Sequence, residues 1–115
     1  MSEFYSPSKN ISCEIDNGLG SGGTTGALCL TISPARSATL GTDSTVTECT
    51  GVNCLSNAGV NTPVLAYNTS ITLGPFTCVS LTTGMQCTLA SGAGFLISKS
   101  STLLLGNAKL ATSSS

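Results

Sequence analysis

Residues 75–90 read "PFTCVSLTTGMQCTLA". Two runs that alternate apolar or β-branched residues with polar ones flank Thr82-Thr83-Gly84. That triplet suits a type I turn closed by Gly84 in the left-handed conformation, the three-residue hairpin loop. Across the resulting ladder Cys78 and Cys87 stand nearly opposite each other, which suits a cross-strand disulfide. The stretch therefore predicts a β-hairpin stapled through its middle.

The same texture extends in both directions. Short apolar runs with β-branched neighbours are interrupted by Gly, Pro, Asn or Ser every eight to twelve residues or so, which predicts strands near 11–15, 27–32, 44–49, 64–73, 76–81, 85–90, 94–98 and 101–105. No window offers ten residues of helical periodicity free of Gly or Pro, and Ser and Thr are poor helix-interior residues. The expected fold is all-β: a small, disulfide-stapled antiparallel β-sandwich or β-barrel. A chain of 115 residues is one domain by length. It is expected to span residues 1–108, with 109–115 a Ser/Thr-rich C-terminal tail.

Charged residues make up 8% of the chain, against roughly a quarter in an average globular domain. Ser and Thr supply about three residues in ten, so the polar surface must be built from hydroxyls, amides and backbone. The basic residues Lys9, Arg36, Lys99 and Lys109 are scattered along the sequence, as are the acids Glu3, Glu14, Asp16, Asp43 and Glu48. Four cations give no electrostatic footprint for nucleic acid or an anionic membrane. A surface so poor in charge has little resistance to self-association, and it suits a chain packed against neighbours or held at a surface.

Six cysteines and no histidine decide the compartment. Cys13, Cys29, Cys49, Cys54, Cys78 and Cys87 contain no CxxC knuckle, so disulfides are expected in place of zinc. Local pairing predicts Cys13 with Cys29, Cys49 with Cys54, and Cys78 with Cys87. Disulfides place the protein in an oxidising setting, extracellular or at a cell surface, or on a virion. After Met1 there is neither a basic n-region nor an apolar h-region, so no signal peptide is expected, and no apolar run approaches the length of a membrane span.

The stretch "IDNGLGSGGTTGALC", residues 15–29, carries Gly18, Gly20 and Gly23 in the spacing of a dinucleotide fingerprint. That fold needs a helix opening at the third glycine to present its N-terminus to the pyrophosphate. Here "TTGALCLTISP" follows, which is β-branched and stopped by Pro34. The glycines are instead expected to join two strands as a hairpin loop, outside the core, with no cofactor. A protruding loop of Asn17, Gly18, Leu19, Gly20, Ser21, Gly22, Gly23, Thr24, Thr25 and Gly26 is a candidate for contact with a partner.

Catalytic ingredients are scarce. Without histidine a Ser-His-acid triad cannot be assembled. Ser6 and Lys9 match S-x-x-K, but no helix follows to hold both on one face. Glu14 and Asp16 share a strand face and could hold calcium with Asn17, although a solvated face explains them as well. Asn10-Ile11-Ser12 and Asn68-Thr69-Ser70 fit the glycosylation sequon, with strand or turn roles the simpler reading. The aromatics Phe4, Tyr5, Tyr67, Phe76 and Phe95 are few and lack Trp, so most are expected in the core and not on a sugar- or base-stacking platform.

The run "SPSKNISC" and, far downstream, "GPFTCVSLTTGMQCTLASGAGFLISKS" give the chain a likeness to a known pattern. Ser6, Pro7, Ser8, Asn10 and Cys13 at the opening, and Gly74, Pro75, Phe76, Cys78, Gly84, Cys87, Gly92, Gly94, Phe95 and Ser98 at the close, carry it. On these residues the sequence resembles an uncharacterised family of small exported actinobacterial domains. Lys9 stands where that family tends to have Gly, and Lys99 where it tends to have Arg; residues 30–62 do not align. The resemblance implies an exported, disulfide-bonded β domain and brings no catalytic residues.

The expected function is non-enzymatic: a structural or binding module, secreted or displayed on a cell envelope, with no cofactor and no metal. Its expected partner is a protein or a second copy, with no nucleic acid and no membrane insertion. Two alternatives are a virion structural protein, a capsid decoration or tail component of an actinobacterial phage, and a secreted enzyme inhibitor.

Overall fold

The computed structural model describes residues 2–17, 25–51 and 62–110. Cys54, the loop positions Gly18 to Thr24, and residues 111–115 lie outside the described residues.

Alternation writes the strands. In β1 (Ser2–Tyr5) Phe4 points inward; in β2 (Ile11–Asn17) Ile11, Cys13 and Ile15 do so, and in β3 (Thr25–Thr31) Ala27, Cys29 and Thr31. β4 (Arg36–Leu40) contributes Ala38 and Leu40, and β5 (Thr45–Thr50) contributes Val46. The second half repeats the pattern. β6 (Ser70–Leu73) lies at an edge, β7 (Phe76–Leu81) buries Phe76, Cys78 and Ser80, β8 (Gly84–Leu89) buries Met85 and Cys87, and β9 (Gly94–Ile97) buries Phe95 and Ile97. Residues two apart share a face of a pleated strand, so each sheet offers one apolar side.

The two halves are successive meanders packed face to face. One sheet has the order β1-β2-β3-β4-β5-β11 and the other β10-β9-β8-β7-β6, with β10 at Thr102–Leu105 and β11 at Lys109–Leu110. All neighbours are antiparallel except β11, which returns across the molecule to pair in parallel with β5 through Lys109↔Thr45 and Leu110↔Val46. Two separate sheets make the fold a β-sandwich and not a closed barrel. Among the described residues no helix is long and apolar enough to cross a membrane.

The two local disulfides form as expected. Cys13 and Cys29 are register partners in β2 and β3 with Cα atoms 4.1 Å apart, and Cys78 and Cys87 are partners in β7 and β8 at 4.0 Å. Cys49 is also disulfide-bonded, while its expected partner Cys54 is outside the described residues. The two bridges face each other across the core, with Cys29 Sγ 3.5 Å from Cys87 Sγ. Neither sulfur retains an S–H, so this contact is packing and not a hydrogen bond.

Several sequence expectations are corrected. Strands β1, β4 and β11 are additional, because Phe4, the Ala38–Leu40 pair and two terminal residues give too little alternation to be seen without their neighbours. The run 64–73 is a strand only from Ser70, since Tyr67 and Asn68 form a turn in which Asn68 takes a φ of 66°. The β7–β8 connection has two residues, Thr82 and Thr83, because Leu81 pairs with Gly84. Gly84 is therefore the first residue of β8, with a φ of 149° and not the αL value. It is needed because a Cβ there would overlap the Ile97 carbonyl oxygen. Gly26, expected in a loop outside the core, is a buried member of β3. Residues 109 and 110, expected in the tail, extend the sheet.

Candidate functional site

Of the ten expected loop positions, Asn17, Thr25 and Gly26 are described, and they belong to the paired ends of β2 and β3 (Asn17↔Thr25, Asp16↔Gly26). The β-strand that follows the glycines is the element that a nucleotide site would replace with a helix.

Cys13, Cys29 and Cys87 bring three sulfurs within 4.8 Å of one another. All three are consumed in disulfides, and a metal needs the thiolate. This cluster is a core staple and not a ligand set.

Glu14 and Asp16 share the outward face of β2, and Glu3 stands directly across the ladder from Glu14. The hydrogen bond with Asp16 is the main reason the Glu14 carboxyl is pushed up to about 7; partial burial and the negative charges of Asp16 and Glu3 add to it, against a small opposing effect of the N-terminal ammonium. Two carboxyls that share a proton need no cation to coexist.

A different site opens at the end of the sandwich where β2 begins and β9 ends. A cleft of about 660 Å³ is formed there by four turns and the Tyr67 segment. The 6–10 turn brings Ser6, Ser8 and Asn10; Ser33 comes from the β3–β4 turn, Leu81 to Gly84 from the β7–β8 hairpin, and Ser98, Lys99 and Ser100 from the β9–β10 turn.

Among the described residues, side-chain hydrogen bonds hold three of these four turns. Ser6 Oγ accepts from the Ile11 N–H at 3.2 Å and shares a hydrogen bond with Ser8 Oγ at 3.1 Å. Ser6 is thus a turn-forming residue, which answers the S-x-x-K match: the Lys9 N–H donates to the Ser6 carbonyl at 2.8 Å, closing a turn. Asn10 clamps the neighbouring turn, its Oδ1 accepting from the Ser33 N–H at 3.0 Å and its Nδ2 donating to the Ser33 carbonyl at 3.2 Å. Arg36 reaches from β4 into the opposite sheet, where Nη2 donates to the carbonyls of Ser98 (2.5 Å) and Lys99 (2.8 Å). That bridge fixes the turn on which Lys99 stands.

The groups left over point to binding. The side chains of Ser33, Tyr67, Thr82, Thr83 and Lys99 line the cleft without a hydrogen bond among the described residues. Tyr67 is 44% exposed, whereas Phe4, Phe76 and Phe95 are each 1% exposed or less. Among the described residues no carboxylate, imidazole or thiol lines the cleft.

Sequence reasoning missed this site. It read Tyr67 inside a long strand, and it treated the hydroxyls as generic surface. The available signal was that each predicted turn on one side of the chain carries Ser, Thr or Asn; only the sheet register shows that these turns share an end.

With this geometry in place, comparison with known proteins gives one match. Residues 31–105 fit the model of a family of unknown function, DUF6636. The chain belongs to that family. The DUF6636 match runs from the end of β3 through β10, and so includes Ser33, Tyr67, Thr82, Thr83 and Lys99. Ser6, Ser8 and Asn10 precede it. No curated protein and no solved structure matches the chain.

Proposed function

We propose that this DUF6636 member is a non-enzymatic binding module that works outside the cell or at its surface, and that the cleft of the four turns is where it binds. One observation carries the reading. The lining offers hydroxyls, an aromatic ring and an ammonium, all suited to recognition, and among the described residues no nucleophile hydrogen-bonded to a base. The cross-strand disulfides support an oxidising extracellular setting. Amide chemical-shift mapping of the oxidised chain against soluble envelope glycans and peptides tests it. Saturable shifts confined to residues 6–10, 81–84 and 98–100, with the added ligand recovered intact, are expected. Turnover of the ligand, or shifts confined to another surface, would reject it.

A second reading has its own observation. The edge strand β10 exposes Leu103 (53%) and Leu104 (42%), and an open edge with apolar side chains favours assembly, as in a virion component. Sedimentation over a hundredfold concentration range tests this: a monomer throughout argues against it.

A further inference from the structure

We propose that the cleft takes a sugar ring bearing a single negative charge, such as a uronic acid or a sulfated pyranose. This presupposes that the cleft is the binding site.

The shape of the free chemistry points to a sugar. A pyranose presents hydroxyls that both donate and accept around a ring with apolar C–H faces. Ser33, Thr82 and Thr83 offer hydroxyls of the same dual character, and none is committed elsewhere among the described residues. Tyr67 adds a half-exposed ring with a polar tip, the kind of surface on which an apolar C–H face stacks while its edge hydroxyl is bonded. The Asn10 clamp and the Arg36 bridge pin the turns that carry Ser33 and Lys99, so that part of the lining is held in place before a ligand arrives, which lowers the entropic cost of binding.

The charge comes from the fold. Although the basic residues are scattered in sequence, the register places Lys9, Arg36 and Lys99 at the cleft end of the sandwich. The acids Glu3, Glu14 and Glu48 sit in the middle rows of the sheet, and Asp16, Asp43 and Lys109 lie toward the other end. The cleft end is therefore the positive pole of the molecule. Among the described residues Lys99 is the one charged side chain that lines the cleft, while Arg36 stands outside the lining with its Nη2 on the carbonyls of Ser98 and Lys99. One ammonium balances one anionic group and not a polyphosphate, and with no carboxylate among the described lining residues a cationic ligand has no counter-charge there.

The test uses the full oxidised chain and three probes: the methyl glycoside of galacturonic acid, the neutral methyl galactoside, and acetate. The acidic sugar should shift the amides of residues 81–84 and 98–100 saturably and bind about tenfold tighter than the neutral one, the scale of one charge-assisted hydrogen bond. Acetate should not saturate the site. Lys99→Gln should erase the preference for the acidic sugar, and Tyr67→Ala should weaken both sugars, each with an unchanged melting temperature. Equal affinity for the two sugars, acetate binding as tightly as the acidic sugar, or wild-type behaviour of both variants would overturn the proposal. If no sugar binds while a peptide shifts the same amides, the sugar assignment falls and the cleft remains a binding site; if no envelope-derived ligand shifts those amides, both fall.

Discussion

Lys9 holds a φ of 63°, a left-handed conformation that its Cβ makes costly. The position closes the turn from Ser6, so the backbone demands it whatever the side chain. Lys9→Gly should raise stability by about 0.5–1 kcal/mol, the relief of strain less the added freedom of the unfolded chain, read as a higher denaturation midpoint. Gly94 is the opposite case. It pairs with Thr88, and a Cβ there would overlap the Cys87 carbonyl oxygen and sit 2.7 Å from the Thr88 Cα. Since backbone and not a flexible side chain would have to yield, Gly94→Ala should cost about 3 kcal/mol or more by overpacking; an unchanged midpoint would show that β8 and β9 can separate without loss.

At the scale of elements, the hairpins were legible because each is specified within a few residues. Cys78 and Cys87 flank a short turn, and Cys13 and Cys29 each sit amid an alternating run, so pairing them required no knowledge of the rest of the chain. β4 was not legible because "RSATL" contains only Ala38 and Leu40 as inward apolar residues; it is a strand because β3 and β5 pair with it on both sides. β11 depends on a parallel partner more than sixty residues away. The candidate site was hidden for the same reason: its turns come from both halves of the chain, and only the stacking of two meanders brings them together. The disulfides also make a prediction at this scale. Replacing both Cys78 and Cys87 by Ala should cost about 2.5 kcal/mol on the chain-entropy model, and replacing Cys13 and Cys29 about 3, because the second loop is longer, 16 residues against 9. Because the two bridges touch in the core, losing both should cost more or less than the sum. Denaturation of the two double variants and the quadruple variant measures that coupling, and simple additivity would mean the 3.5 Å contact carries no energy.

For the whole molecule the polarity of charge sets how stability responds to pH. Two acids outside the cleft move in opposite directions. Asp43 accepts from the Thr45 hydroxyl and N–H, and its carboxyl is held below its ordinary value of 3.8. A lowered acid stabilises the fold above its unfolded value and loses that contribution as the pH falls through the folded value, so Asp43 acts only at the acid extreme. Glu14 is raised from 4.5 to about 7, chiefly by the bond to Asp16 and then by burial and neighbouring charge. A raised acid works the other way: the shared proton favours the fold below about 4.5, and this contribution is lost as the pH rises toward and through 7. The windows do not overlap, so one variant separates them. Glu14→Gln should keep the neutral form's hydrogen bond to Asp16 at every pH. Its denaturation midpoint should match the wild type near pH 4.5 and exceed it near pH 8, flattening the profile between. A wild-type midpoint that rises from pH 4.5 to 8, or a variant that tracks the wild type across that range, would mean that Glu14 and Asp16 do not share a proton in the folded protein. Neither residue lines the cleft, so Glu14→Gln should leave binding there unchanged at pH 7, which keeps the pH dependence of stability separable from recognition at the cleft.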